Sequence, residues 1–239
     1  MRRTCLWSGV PPRSRVVASW TEEYRKQNVV EPSAIWAMRE IVFDRSIGLI
    51  QNVILSHARD SLHALVARID RLRELVPAAP VGNGIFIHPE IPSVLSDIAF
   101  HQGAASMILF NDNPKGAREN AETYRLRLDR IAYVQAKCAG IAMAVLSDRK
   151  IRNSLTHIDE HLPRALSKPN TGWFIDIAAT VREPMGPQQH GLAVGFCRTY
   201  IASEDIILHL DGEISVSDLK ADSQAVLHAV WGEERPAPQ

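Results

Sequence analysis

Between Pro32 and Val76, apolar side chains return at steps of three and four residues. They are Ile35, Met38, Ile41 and Val42, then Leu49, Ile50, Val53 and Ile54, then Leu62, Leu65, Ile69, Leu72 and Val76. A repeat near 3.6 residues lines one face of a helix, so this stretch predicts helical structure with that stripe buried. Pro32 suits a first helical turn, where its missing N–H costs nothing. Gly48 weakens a helix interior by about 1 kcal/mol and is expected to bend or divide the segment. Pro77-Ala-Ala-Pro80 and then Val81-Gly-Asn-Gly84 stop it. Ile85-Phe86-Ile87 reads as a short extended piece. Residues 93–110 predict a second, weaker helix with Val94, Leu95, Ile98, Ala99, Met107 and Ile108 on its apolar side. After the polar loop Asn111–Gly116, a long amphipathic helix is expected over about 117–146, burying Leu128, Ile131, Tyr133, Val134, Cys138 and Ile141. Ser147 or Asp148 offers an N-cap for another helix over about 149–162, and the two helices read equally well as one.

The pattern changes after Pro163 and Pro169. Trp173–Thr180 and Leu192–Ser203 are rich in β-branched and aromatic residues and read as strands. Asp205–Leu210 and Glu213–Val216 flank Asp211-Gly212, a pair that accommodates the positive φ of a type I′ hairpin turn. Ser217 is the expected N-cap of a last helix carrying Leu219, Val226, Leu227 and Val230. The whole predicts a mainly α chain: a flexible segment over 1–30, a helical domain over 31–168, a C-terminal β-hairpin and helix extension over 169–232, and a tail over 233–239.

The 239 residues are 46 % apolar and 23 % charged, enough for a packed core, and 27 basic residues balance 27 acidic ones. A neutral balance carries no global field of the kind that marks a nucleic-acid or membrane-surface binder. No apolar run reaches the roughly 18 residues that span a bilayer, so no membrane association is expected. Cys5, Cys138 and Cys197 are far apart, which argues against a disulfide framework or a zinc site and fits a cytoplasmic setting. Arg2, Arg3, Arg13 and Arg15 precede the first acid, Glu22, which is how a transit peptide reads; the alternative is a disordered or mis-assigned start. Charge is uneven within the neutral total. From Lys115 to Arg152 there are nine basic residues and four acids; from Glu204 onward there are eight acids and two basic residues. Complementary packing faces or solvated surfaces account for such blocks, and a basic stretch also suits a nucleotide or RNA.

One segment carries candidate chemistry: Ile151-Arg-Asn-Ser-Leu-Thr-His-Ile-Asp-Glu-His161. At about 100° per residue, Ile151, Leu155, Ile158 and Leu162 fall within roughly 60° of one another and form the buried stripe. The opposite arc holds Arg149, Arg152, Asn153, Thr156, His157 and Glu160. Arg152-Asn153-x-x-x-His157 resembles the signature of the HEPN superfamily (higher-eukaryote and prokaryote nucleotide-binding helical domains), an arginine, four to six residues and a histidine. Ile158-Asp159-Glu160 is similar to its abortive-infection U-type branch. The resemblance covers residues 32–168 and implies a HEPN-like antiparallel helical bundle.

It further implies metal-independent RNA cleavage of a toxin or phage-defence type, without a cofactor, with a homodimeric site and an antitoxin protein as possible partner. His157 titrates near neutral pH and can take or deliver a proton. Arg152 stays charged, and its guanidinium fork matches phosphate oxygens. Asn153, one turn before His157, can fix the imidazole tautomer or meet the ribose. Arg149 and Thr156 are candidate substrate contacts. Residues five apart lie about 140° out of alignment, so one helix does not aim both groups at one atom, whereas two helices facing across a twofold axis do. The same fold also suits a non-catalytic nucleotide-, RNA- or protein-binding module. His157, His161 and Glu160 as metal ligands form a competing reading, but no metal is expected.

Overall fold

Helix α1 (Leu49–Leu75) is the longest helix among the described residues. The computed structural model describes residues 47–76, 85, 86, 88–148, 150, 153, 163, 167, 171–175, 178, 179, 193–196, 198–210 and 212–233. The chain separates into two units, Met1–Ile41 and Val42–Gln239, and all of these residues belong to the second. The expected flexible segment over 1–30 and the stripe from Ile35 to Val42 lie outside the described residues. Gly48 is the N-cap of α1, so it marks a boundary rather than a bend.

The buried face of α1 is Leu55, Ala58, Leu62, Leu65, Ile69 and Leu72, spaced as a 3.6-residue stripe requires. Leu49 and Ile50, expected in that stripe, are instead 66 % and 62 % exposed. Gln51 and Asn52 turn inward in their place. The Gln51 amide donates to the Leu126 carbonyl (2.5 Å), and the Asn52 amide donates to the Ile47 carbonyl (2.8 Å). The first turn of α1 is therefore set by side-chain hydrogen bonds, which hydrophobic periodicity does not register.

Strand β1 (Ile85–Phe86) precedes α2 (Ile91–Leu109), which begins with Pro92 in its first turn, where the missing N–H is harmless. Helices α1 and α2 run antiparallel. Arg68 pairs with Asp97 (3.0 Å) near one end, while at the other Arg130 joins Gln51 to the Ile108 carbonyl. Val94, Leu95, Ile98 and Ala99 are buried as predicted, but Met107 lies on the exposed side.

The long helix expected over 117–146 is shorter and divided. Helix α3 spans Ala121–Lys137, with the Asn120 side chain accepting the Thr123 N–H (2.8 Å) as its cap. It ends at Cys138, and Gly140 at φ 79° adopts the left-handed conformation that glycine enters without penalty. A single turn, α4 (Ala144–Ser147), follows. Of the predicted buried positions, Ile131, Val134 and Cys138 are buried, whereas Leu128 is exposed.

The strands are β2 (Thr171–Ile175), β3 (Ala178–Ala179), β4 (Ala193–Phe196), β5 (Arg198–Ile201), β6 (Ile206–His209) and β7 (Gly212–Ser215). The order β1-β3-β5-β6-β7 makes one mixed sheet, and β2 and β4 form a separate parallel pair. The predicted hairpin forms, with His209 opposite Gly212 and Leu208 opposite Glu213. Gly212 is thus the first residue of β7 rather than a turn residue. Helix α5 (Val216–Trp231) closes the described chain. Its cap is Ser215, not Ser217: the Ser215 hydroxyl accepts the Asp218 N–H at 3.2 Å. Ser215 ends β7 in an extended conformation, which leaves its hydroxyl over the first turn. Gly232 at φ 69° ends the helix.

Helix α5 packs antiparallel to α1. Lys220 pairs with Asp70, and Glu233 just past α5 pairs with Arg59 (2.6 Å). Tyr200, Ile207, Ile214, Val216, Leu219, Val226 and Leu227 share one apolar core with Leu62, Leu65, Ile69 and Ile98. The β and helical parts on either side of residue 168 therefore bury each other. The result is mainly α, with the sheet against the helices.

Candidate functional site

The approach to the candidate segment is built by side chains from distant elements. A one-turn helix has too few internal hydrogen bonds to hold itself in water. In α4 the Val145 and Leu146 N–H groups both donate to the Asp222 carboxylate of α5, each at 3.0 Å. On the other side, the Gln102 amide of α2 donates to the Leu146 carbonyl (3.1 Å) and to that of Asp148. The Ser106 hydroxyl donates to the Ser147 carbonyl at 3.2 Å. Leu146 is fully buried in the core between them. Burial raises the Asp222 carboxyl above its usual range, against the opposing pull of the two N–H groups.

Asp148 ends α4. Its backbone is extended (φ −73°, ψ 119°), and its carboxylate accepts the Lys150 N–H at 2.9 Å. Lys150 and Asn153 are helical. The helix expected over about 149–162 lies mostly outside the described residues, and α3 ends at Lys137, well before it, so one continuous helix from 117 is not what forms. Lys150 Nζ also pairs with Asp148 at 3.2 Å on the surface.

Of the five predicted site residues, Asn153 alone is described, helical and half-buried. Arg149, Arg152, Thr156 and His157 lie outside the described residues, as do His161 and Glu160 of the competing metal reading. Among the described residues, no three His, Cys, Asp or Glu side chains form a group able to hold a metal ion. No helix among them is long and apolar enough to cross a membrane.

The basic stretch is partly internal. Arg127 is buried, its guanidinium forked onto Glu119 (3.0 and 2.8 Å) and donating to the Asn111 and Asn113 carbonyls. Arg130 is buried too, with Nε on the Ile108 carbonyl at 2.9 Å. Both arginines thereby meet carbonyls at or just beyond the C-terminus of α2, the negative end of its dipole. Burial, and then the neighbouring Arg127, lower the Arg130 pKa. Two of the nine basic residues are thus structural. Lys115, Arg118, Arg125, Lys137 and Lys150 remain exposed.

Two further polar clusters tie α1 to the C-terminal region. Arg73 donates to both Asp205 oxygens (3.3 and 2.5 Å) and to Ser217 (3.0 Å), while Tyr200 donates to Asp205 at 2.8 Å. Burial pushes the Asp205 carboxyl up, but bonds from Arg73, Ser217 and Tyr200 bring it below its usual range. Asp205 holds φ at 50°, a conformation that Asp tolerates better than most residues. At the other end Glu233 accepts from Arg59 (2.6 Å) and meets His63 Nε2 (3.0 Å).

Sequence reasoning passed over Gln102 and Asp222. The signal for Gln102 was present: it falls on the face of Leu95, Ile98 and Ser106, and its neighbour is Gly103. A polar residue on an apolar face is buried only when hydrogen-bonded. Asp222 gave no comparable signal, since an acid on an amphipathic helix reads as surface. Comparison of the chain with family models, with curated proteins and with solved structures found no match.

Proposed function

We propose that this chain is a HEPN-like, metal-independent endoribonuclease of toxin or phage-defence type that acts as a homodimer. The observation that carries the reading is the sequence Arg152-Asn153-x-x-x-His157, a few residues after Asp148, with Asn153 in helical conformation. The antiparallel packing of α1 and α2 and the mainly α architecture support it. RNA brings its own nucleophile. His157 takes the proton as the 2′-oxygen attacks phosphorus, and the P–O5′ bond breaks to leave a 2′,3′-cyclic phosphate. A second histidine across the twofold axis, in its protonated form, delivers a proton to the departing O5′. Arg152 holds the charge that develops on the non-bridging oxygens, Asn153 fixes the imidazole, and Arg149 and Thr156 bind the neighbouring phosphate.

The test is cleavage of a labelled RNA by purified protein in EDTA. The expected result is cutting by the native chain and a loss of at least about 100-fold in His157→Ala with the circular dichroism spectrum retained. Undiminished cutting by His157→Ala overturns the assignment. RNA binding without turnover, weakening steeply with salt, identifies the alternative, a non-catalytic binding module.

A further inference from the structure

We draw no further inference here: the strongest candidate, the apolar surface that α2 leaves exposed at Phe100 and Met107, is an unpartnered helix face, and nothing among the described residues shows what covers it.

Discussion

Helix α1 and the single turn α4 are both held against the same core, by opposite means. Over twenty-seven residues α1 buries a stripe of leucine, isoleucine and alanine, each repeat supporting the next. In four residues α4 buries one leucine and owes the rest of its placement to Asp222, Gln102 and Ser106. The first arrangement is stable and tolerant of its neighbours, because apolar contact has no direction. The second is directional, because a hydrogen bond fixes angle as well as distance. A scaffold is built in the first way. A segment that must present particular side chains gains from the second.

The contrast breaks most readily at the apolar stripe. Leu65→Ala opens a cavity in a fully buried position of α1 and is expected to lower stability by about 2–5 kcal/mol, read by urea unfolding as one cooperative loss. A smaller loss with local fraying would mean that the α1 stripe is not part of the cooperative core. The Asp205 joint at the end of α1 comes next. Asp205→Asn is expected to cost about 1–2 kcal/mol at neutral pH, near the lower end because the side chain keeps 26 % exposure and solvent screens the pair. The sign of its pH dependence follows from a carboxyl held below its usual range. Its stabilisation is present above the unfolded value near 3.9 and is lost as pH falls through the lower folded value. An acid-unfolding series should therefore show a shallower acid limb in Asp205→Asn than in the native chain.

The cap assignment sharpens the picture at the level of single hydrogen bonds. Ser215→Ala is expected to cost about 1 kcal/mol by thermal melting. Ser217→Ala, exposed and bonded only within the Asp205 cluster, should cost less. The reverse order would restore Ser217 as the cap. Smallest of all is Leu49→Ala, expected within about 0.5 kcal/mol of native because its side chain is already in solvent.

What the sequence disclosed divides along the same line. Leu62, Leu65, Ile69, Leu72 and Val76, the buried side of α2, the hairpin and the mainly α class all follow from periodicity, since each residue's fate depends on its near neighbours. The misread positions are those where a distant partner decides. Gln51 displaced Leu49 and Ile50 from the core by reaching a carbonyl 75 residues away. Gly140 ended a helix that apolar spacing carried on to Leu146. Ser215 took the cap from Ser217 because the preceding strand leaves its hydroxyl over the first turn. Arg127 and Arg130 lie in the basic stretch, which composition left open between packing faces and solvated surface, and they close the end of α2. Near the candidate site, the bond from the Lys150 N–H to Asp148 was legible from a short acidic side chain two residues before it. The grip of Asp222 and Gln102 was not, because it joins three separate elements.

The most direct measurement of the ribonuclease account is the chemical nature of the ends left on RNA after incubation with the native protein in EDTA. Attack by the 2′-hydroxyl predicts a 2′,3′-cyclic phosphate on one fragment and a 5′-hydroxyl on the other, with both absent in Arg152→Ala and His157→Ala. Fragments carrying a 5′-phosphate, or cutting that appears only when a divalent metal is restored, would contradict it.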